Sequence, residues 1–257
     1  MNTTLITGAS SGIGAAFARK LAARGRNVLL VARSEDKLIT LCNELGRLSG
    51  IRAQYFAIDL LKPEAGALLF EETQKRGLVI DMLVNNAGFG SMGDFVKLDL
   101  ARELEMIDLN VKSLVDLSYR FLKPMRERRQ GTIINVASTA AFQPVPYMAT
   151  YAATKAFVLS FSQALWDENR EHGIHVMALC PGVTETNFFS ASRMNRPPLR
   201  TIETPEEVVQ TALRGLGHRK PSVISGWTNW ITTEAQRLVP RSVVIKIAGK
   251  ALRSRFE

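Results

Sequence analysis

Residues 3–14, Thr-Thr-Leu-Ile-Thr-Gly-Ala-Ser-Ser-Gly-Ile-Gly, decide the fold. The β-branched residues 3–7 predict a short strand, and residues 15–24 carry apolar side chains at helical spacing. Gly8, Gly12 and Gly14 lie between the two, where missing side chains let the backbone turn tightly and approach a pyrophosphate at the helix N-terminus. Their spacing differs from the common Gly-x-Gly-x-x-Gly fingerprint, so a turn without a ligand is still an alternative at this point.

The same alternation of strand and helix continues along the chain. Strands are predicted at residues 27–32, 53–58, 80–85, 132–137, 174–179 and 222–224. Helices are predicted at residues 34–47, with Ser34 as the N-cap, and at 63–76, 100–128, 148–171 and 205–216. Single helices between strands imply right-handed crossovers. We therefore expect one α/β domain with a doubly wound, Rossmann-like parallel sheet that binds ligands beyond the carboxyl ends of its strands.

The composition is that of a globular protein with an excess of positive charge. The 257 residues are 46% hydrophobic and 22% charged, and Lys and Arg outnumber Asp and Glu by 33 to 24. The resulting formal charge of +9 suits a phosphate-rich cofactor, an acidic carrier, anionic lipid or nucleic acid. The sequence has no nucleic-acid reader motif and no interleaved aromatic residues, so we reject nucleic-acid binding.

Cysteine and histidine usage favours neither a metal site nor a disulfide framework. Cys42 and Cys180 lack metal-ligand spacing, and we expect two buried thiols in a reducing compartment. The three histidines form no motif with cysteines or carboxylates, so no metal site is expected.

No apolar stretch reaches the ~18 residues that span a bilayer, and no leader precedes the glycine turn. The expected location is cytoplasmic, either free or peripheral to a membrane.

The residue that follows the second predicted strand indicates the cofactor. In folds selective for NAD, an acidic residue near this point accepts hydrogen bonds from the ribose hydroxyls, whereas an arginine accommodates a 2′-phosphate. Arg33 stands here and no carboxylate does, which favours NADP(H). Ser11 can add a hydroxyl bond to the same phosphate. The alternative is that Arg33 is only a solvated surface cation.

Four further residues indicate acid/base chemistry. Tyr151 and Lys155 are four apart in a predicted helix, so both side chains emerge on one face. An adjacent ammonium favours the phenolate and brings the phenol toward useful acid/base work. Ser138, at the end of the fifth predicted strand, can hydrogen-bond the reacting oxygen beside Tyr151. Asn110 lies inside the long predicted helix, an unusual place for a poor helix former.

Together these residues resemble the short-chain dehydrogenase/reductase family. The matching motifs, in order, are Thr7-Gly-Ala-Ser-Ser-Gly-Ile-Gly14, Asp59, Asn85-Asn-Ala-Gly88, Asn110, Ser138, Tyr151-x-x-x-Lys155 and Pro181-Gly182. They cover residues 1 to about 190, and their joint occurrence in this order is highly specific. The resemblance implies that Tyr151 is the catalytic acid/base, that Ser138 orients the substrate oxygen, and that Lys155 holds the nicotinamide ribose while lowering the pKa of Tyr151. Asn110 would hold a water that links Lys155 to bulk solvent.

The same resemblance implies the cofactor contacts. Asp59 would meet the adenine edge, Asn86 and Ala87 would support the adenine ribose, and residues 181–184 would contact the nicotinamide amide. The whole predicted cofactor set is Gly8, Ser10, Ser11, Gly12, Ile13, Gly14, Arg33, Asp59, Leu60, Asn86, Ala87, Gly88, Tyr151, Lys155, Pro181, Gly182, Val183 and Thr184.

Beyond residue 184 the sequence is less informative. Residues 184–203, with two consecutive prolines, predict a substrate lid or a mobile surface loop within a catalytic domain of residues 1–226. Residues 227–257 form a basic amphipathic extension that closes the substrate pocket, packs on a partner subunit or lies on a membrane surface. Val243, Val244, Ile245 and Ile247 also allow a strand at this point.

Three functions agree with the sequence. The first is an NADP(H)-dependent carbonyl reductase or alcohol dehydrogenase for a lipophilic substrate, in a homodimer or homotetramer. The second is a 3-oxoacyl-[acyl-carrier-protein] reductase, with Arg126, Arg128 and Arg129 toward the carrier, although Ser11 stands where those reductases usually have arginine. The third is a non-catalytic module that senses NADP(H). The complete set of acid/base residues argues against it.

Overall fold

The computed structural model describes residues 2–47, 50–186, 188 and 202–253. The strands are β1 (Asn2–Thr7), β2 (Asn27–Ala32), β3 (Ala53–Ala57), β4 (Val79–Asn85), β5 (Gly131–Val136), β6 (Ile174–Cys180) and β7 (Ser222–Ile224). They form one sheet in the order β3-β2-β1-β4-β5-β6-β7, and every pairing is parallel. The predicted doubly wound α/β fold is confirmed. Strand order reverses between β1 and β4, which places the ligand crevice at their carboxyl ends.

The helices are α1 (Gly12–Ala22), α2 (Glu35–Leu45), α3 (Ala65–Lys75), α4 (Leu100–Ile107), α5 (Leu114–Glu127), α6 (Ala149–Arg170), α7 (Pro205–Gly217), α8 (Trp227–Ala235) and α9 (Arg241–Arg253). Alternate strand residues point to opposite faces of the sheet, so Leu5 joins one core cluster and Ile6 the other. Phe17 of α1 packs on the Ile6 side, while Leu69 of α3 and Phe121 of α5 pack on the Leu5 side. Both faces of the sheet are therefore covered, which explains why its strands are apolar almost throughout.

Predicted and observed strand ends agree within one residue, but two local predictions are wrong. Ser34 occupies the N-cap position of α2, yet its side chain makes no capping hydrogen bond. Cys180 is buried as expected, whereas Cys42 is only half-buried.

The helix predicted at residues 100–128 is interrupted. It consists of α4, a π-helical segment (Asp108–Ser113) and α5. Asn110 lies within the π-helical segment and is buried. Single π-helical turns inside α-helices occur frequently at functional sites. The poor helix former seen in the sequence therefore coincides with a real change in backbone geometry.

The C-terminal region is helical. Residues 241–253 form α9, so the strand alternative for Val243 to Ile247 is wrong. α9 packs on the domain, with Gly249 buried against Pro146. Among the described helices, none combines the length and apolarity needed to cross a bilayer.

The predicted lid is described only at its two ends. Thr184 and Glu203 form a parallel bridge, and the backbone N–H of Glu185 donates to the carbonyl oxygen of Glu203 at 2.9 Å. Position 187 and residues 189–201 lie outside the described residues, so the lid stays a prediction.

Candidate active site

A cleft of about 830 Å³ opens at the carboxyl ends of β1, β4 and β5. The predicted site residues on its walls are Gly8, Ser10, Ser11, Gly12, Ile13, Arg33, Asp59, Leu60, Asn86, Ala87, Gly88, Ser138, Tyr151, Lys155, Pro181, Gly182, Val183 and Thr184. Gly14 and Asn110 are instead buried next to it. The topology thus brings together motifs that are more than 170 residues apart in the sequence.

The glycine turn forms one end of the cleft. Gly8 has a φ of +64°, in the left-handed region that favours glycine. A Cβ on Gly14 would overlap the carbonyl oxygen of Gly8 and the side-chain amide of Asn86. α1 begins at Gly12 with no acidic residue in its first turn, and the Ser11 hydroxyl makes no capping bond. This helix N-terminus is suited to bind an anionic group such as a pyrophosphate.

Hydrogen bonds to Thr7 connect the loop after β4 to the end of β1. Its hydroxyl oxygen accepts hydrogen bonds from the backbone N–H groups of Asn86 (2.9 Å) and Ala87 (3.0 Å). The side-chain amide of Asn86 donates in return to the carbonyl oxygens of Thr7 (2.9 Å) and Gly8 (3.2 Å). Both amide hydrogens of Asn86 are therefore committed to the protein, and this side chain shapes the wall of the cleft.

Arg33 and Asp59 stand at the same end of the cleft. Arg33 directly follows β2, is exposed, and makes no side-chain hydrogen bond or ion pair with the described residues. Asp59 follows β3, and its carboxylate accepts the backbone N–H of Leu61 at 3.1 Å. A guanidinium without a partner at the end of β2 is available to bind phosphate.

Ser138 and Tyr151 meet inside the cleft. Ser138 follows β5, Tyr151 lies in the first turn of α6, and both side chains line the cleft. Burial raises the pKa of Tyr151 to about 12, an effect that the nearby Ser138 hydroxyl opposes. The Tyr151 ring packs with Phe89 and Met106, and its centroid lies 5.5 Å from that of Phe188. A phenol with this pKa is protonated at neutral pH, as a proton donor must be.

Lys155 lies one helical turn beyond Tyr151 and is buried. Its ammonium donates to the carbonyl oxygen of Val136 at 2.8 Å and lies 5.8 Å from the centroid of the Tyr151 ring. Burial lowers the pKa of Lys155 to about 8. Desolvation of the phenol dominates in this arrangement and raises the pKa of Tyr151, so the lowering expected from Lys155 stays a prediction.

Asn110 is buried next to the cleft and hydrogen-bonds two segments that line it. Its side-chain oxygen accepts the backbone N–H of Phe89 at 3.1 Å. Its amide group donates to the carbonyl oxygen of Phe89 (2.9 Å) and to the hydroxyl of Thr154 (3.1 Å), and that hydroxyl donates to the carbonyl oxygen of Tyr151. Asn110 thereby connects the loop after β4 to the helix that carries Tyr151 and Lys155.

A chain of buried polar side chains fixes the strands beneath the site. The side-chain amide of Asn85 donates to the Ser118 hydroxyl (3.0 Å) and to Asn135 (2.9 Å), and Asn135 donates to the Ser162 hydroxyl (2.9 Å). These bonds connect β4 and β5 to α5 and α6. Sequence reasoning found Asn85 only through the family motif and missed its partners, because no local pattern marks them.

Sequence reasoning also missed the opposite end of the cleft. The residues there come from separate segments and are largely apolar: Phe89, Met92, Val145, Met148, Phe188, Ala251 and Leu252. α8 adds polar side chains, among them Asn229, which donates to the carbonyl oxygen of Ser225 (2.7 Å) and to Glu203 (3.3 Å). Glu203 in turn accepts the Ser225 hydroxyl at 2.6 Å. These bonds hold one end of the predicted lid against α8.

Comparisons with known proteins agree with this geometry. The chain is 31% identical over 262 residues to the very-long-chain 3-oxoacyl-CoA reductase of Rattus norvegicus, covering 98% of this chain and 81% of that relative. The structure of a short-chain dehydrogenase from Sphingobium yanoikuyae in complex with NADPH matches with a TM-score of 0.83 and 33% identity, over 93% of this chain and 94% of that one. The bulky-bulky ketone specific alcohol dehydrogenase from Comamonas testosteroni matches with a TM-score of 0.79 and 31% identity, over 93% and 92% of the two chains.

The sequence profile of the short chain dehydrogenase family matches residues 2–197, which span every motif of the cleft. The fold, the convergence of these motifs and the relatives all lead to one assignment. This chain belongs to the short-chain dehydrogenase/reductase family and is an oxidoreductase that acts on CH–OH and C=O groups.

Proposed function

We propose that the protein uses NADP(H) to interconvert a lipophilic ketone or aldehyde and its alcohol, with Tyr151 as the acid/base. The observation that carries the proposal is the placement of Ser138, Tyr151 and Lys155 together on the walls of a cleft that is bordered at one end by the glycine turn and Arg33. The end with the glycine turn and Arg33 offers groups that can bind phosphate, and the opposite end of the cleft offers an apolar wall.

The walls of the cleft fit NADP(H). The N-terminus of α1 would bind the pyrophosphate, and Arg33 with Ser11 would bind the 2′-phosphate. The adenine edge would meet Asp59 and Leu60. As the family resemblance implies, Asn86 and Ala87 would support the adenine ribose and residues 181–184 would contact the nicotinamide amide. Lys155 would bind the nicotinamide ribose. When bound, the cofactor supplies the hydride in reduction and accepts it in oxidation.

Tyr151 and Ser138 supply the proton chemistry. In reduction, the substrate oxygen gains negative charge and the phenol of Tyr151 donates a proton to it. The Ser138 hydroxyl hydrogen-bonds the same oxygen and holds it in place. Because burial raises the pKa of Tyr151 to about 12, the phenol is protonated at neutral pH, as a proton donor in reduction must be. In oxidation the phenolate of Tyr151 takes the alcohol proton.

The side chains around Tyr151 favour a lipophilic substrate. Phe89, Met148 and Phe188 pack near its ring, and Leu252 lines the same cleft. Such a wall offers few partners to a polar substrate and gains free energy from each buried apolar group. The activity toward a bulky ketone named for the relative from Comamonas testosteroni supports this choice.

The decisive experiment follows NADPH absorbance with ketones of increasing apolar size. We expect kcat/KM to rise with each buried methylene, by up to ~0.8 kcal/mol of transition-state stabilisation, until the pocket is full. Equal kcat/KM across the series, or equal efficiency with NADH and NADPH, would contradict the proposed substrate class or cofactor respectively.

A second candidate is reduction of a 3-oxoacyl thioester, because a relative at 31% identity is named for that reaction. The chemistry at Tyr151 is the same, since the 3-oxo group is a ketone. Parallel assays with a 3-oxoacyl-CoA and with a plain ketone of equal chain length distinguish the two. A preference for the thioester of more than about a hundredfold would select the second candidate.

A further inference from the structure

We propose that the C-terminal face of the molecule binds the surface of a membrane that contains anionic phospholipid. We define this face as residues 227–253, which comprise α8, the connection at 236–240 and α9. The proposal concerns the outer surface of these helices, which also border the catalytic cleft, and stands on exposure, charge and the arrangement of side chains along α9.

The first observation is the concentration of exposed apolar side chains. Trp227 is 75% exposed, Trp230 55%, Leu238 90% and Ile247 64%. Ile231, Val239 and Val243 are exposed as well, so one short stretch of the chain presents seven large apolar side chains to solvent. Monomeric proteins seldom expose apolar groups so densely without a binding role. Tryptophan in particular is enriched where protein meets the lipid headgroups.

The second observation is charge. The C-terminal face carries Arg237, Arg241, Lys246, Lys250 and Arg253 against a single acidic residue, Glu234. Glu234 is paired with Arg237 at 2.9 Å, which leaves the other four cations without an acidic neighbour in this stretch. An excess of basic over acidic side chains beside exposed tryptophan and leucine is the pattern of helices that lie in the membrane interface.

The third observation is the arrangement of α9. Val243 and Ile247 are exposed and one turn apart, and Lys246 and Lys250 form a neighbouring exposed row. The opposite side of the helix, around Gly249, packs on the domain. The outer surface of α9 therefore presents an apolar row beside a basic row, which allows the apolar side chains to insert while the ammonium groups meet lipid phosphates.

The basic row of α9 also borders a groove of about 640 Å³. Lys246, Lys250 and Arg253 line the groove together with Phe95 and Leu98. Its one acidic side chain among the described residues is Asp94, which pairs with Lys97 at 3.8 Å, so the cations outnumber the carboxylate three to one. Phe95 is itself exposed, so apolar surface continues beyond α9 onto the loop after β4. A groove lined by both apolar side chains and cations is suited to the headgroup and upper acyl chain of an anionic lipid.

Charge favours a membrane over a second copy of this chain. In a two-fold symmetric interface each residue faces its own copy or a near neighbour, so five cations and one acid on each side would repel. A different surface suits self-association better. Leu100, Leu104 and Ile107 are exposed on one face of α4, and Phe157 is exposed on α6. The homo-oligomer expected from the sequence can use that surface and leave the C-terminal face open.

Membrane binding would also bring the cleft to the lipid. Asn229, Thr232 and Gln236 on one side and Leu252 on the other line the cleft, so α8 and α9 both border it. A lipophilic carbonyl compound dissolved in the bilayer would then have a short path to Tyr151. This consequence rests on the proposed function, whereas membrane binding itself does not.

The test uses the full chain and flotation with vesicles of phosphatidylcholine, alone or mixed with phosphatidylglycerol. We expect wild-type protein to float with the mixed vesicles, to bind pure phosphatidylcholine much more weakly, and to bind less as salt rises. Lys246→Glu/Lys250→Glu should lower the partition coefficient at least about tenfold. The matched control Lys20→Glu/Lys123→Glu, with the same change of charge at exposed sites on α1 and α5, should leave it within about twofold.

Insertion is tested separately. In a Trp166→Phe background the remaining tryptophans are Trp227 and Trp230, and brominated lipid should quench them. Leu238→Asp/Ile247→Asp should abolish quenching, whereas Leu68→Asp on α3 should not. Far-ultraviolet circular dichroism reports folding in every variant.

Three results would overturn the proposal. The first is that the wild-type protein does not float with vesicles that contain phosphatidylglycerol. The second is that Lys246→Glu/Lys250→Glu floats as well as its control. The third is that brominated lipid leaves the tryptophans unquenched while the protein self-associates and Leu238→Asp/Ile247→Asp removes that self-association. The last result would assign the face to a second copy of the chain. If the wild-type protein floats with the mixed vesicles but reduces no ketone, the result would contradict the proposed function and leave the membrane proposal intact.

Discussion

The two ends of the cleft are built in different ways. At the end with the glycine turn, where we propose that the cofactor binds, backbone groups form the wall: the N–H groups of Asn86 and Ala87 bind Thr7, and Gly8 takes a positive φ. We call this the cofactor end. At the opposite end, where we propose that the substrate binds and which we call the substrate end, side chains form the wall, and they come from segments as far apart as Phe89 and Leu252. Backbone geometry requires particular residue types, whereas many apolar residues can build the same wall. Only the first kind of wall leaves a recognisable motif.

Tyr151→Phe should have the largest effect, because Tyr151 lies where the two ends meet. We expect kcat to fall about 10²- to 10⁴-fold, since the proton donor is removed. NADPH affinity should stay nearly unchanged, because the ring and its packing against Phe188 are retained. Steady-state kinetics and NADPH titration measure both. Tyr119→Phe, exposed on α5, is the control and should change neither.

Gly14→Ala tests the claim that the cofactor end depends on backbone approach. The added Cβ would overlap the carbonyl oxygen of Gly8, so we expect about 1–3 kcal/mol lower stability and at least about tenfold weaker NADPH binding. Gly217→Ala is a matched control, because a Cβ there meets no atom within 4 Å. Thermal unfolding and NADPH titration distinguish the two variants. If both behave alike, close approach at Gly14 is not what shapes this end.

Arg33→Asp tests whether a side chain at the cofactor end selects the phosphate. The carboxylate repels a 2′-phosphate and accepts ribose hydroxyl bonds, so NADPH should bind about 10- to 100-fold more weakly while NADH is spared. Arg24→Asp makes the same change of charge at an exposed site after α1 and should alter neither affinity. An equal loss for both cofactors would show that Arg33 acts through general charge.

Leu252→Ala should have the smallest effect and acts at the substrate end. Removing part of an apolar wall should lower kcat/KM for a bulky ketone about three- to tenfold and leave a small ketone and NADPH affinity nearly unchanged. Leu68→Ala on α3 is the control. If Leu252→Ala weakens NADPH binding instead, the two ends of the cleft are not separate as described.

The sequence predicted the order of strands and helices closely, because that order follows from periodicity and from glycine and proline chemistry. It also named residues that the fold brings to one cleft, whereas their contacts with a cofactor stay a prediction. It named Asn110 as a site residue but not the π-helical segment around it or its hydrogen bonds, since Phe89 and Thr154 are distant from Asn110 in the sequence. The raised pKa of Tyr151 could not be predicted from the sequence either. Desolvation depends on burial by residues far away in the chain, and sequence spacing shows only the neighbouring Lys155.

The most direct test of the account follows the hydride itself. Wild-type protein is incubated with a bulky ketone and NADPH that carries deuterium at the transferable position, and the alcohol is analysed by mass spectrometry. We predict an alcohol with one deuterium on the carbinol carbon, and less than about a hundredth of that rate for Tyr151→Phe. If NADPH binds tightly but no labelled alcohol forms from any ketone, aldehyde or 3-oxoacyl thioester, the cleft does not perform the reaction proposed for it.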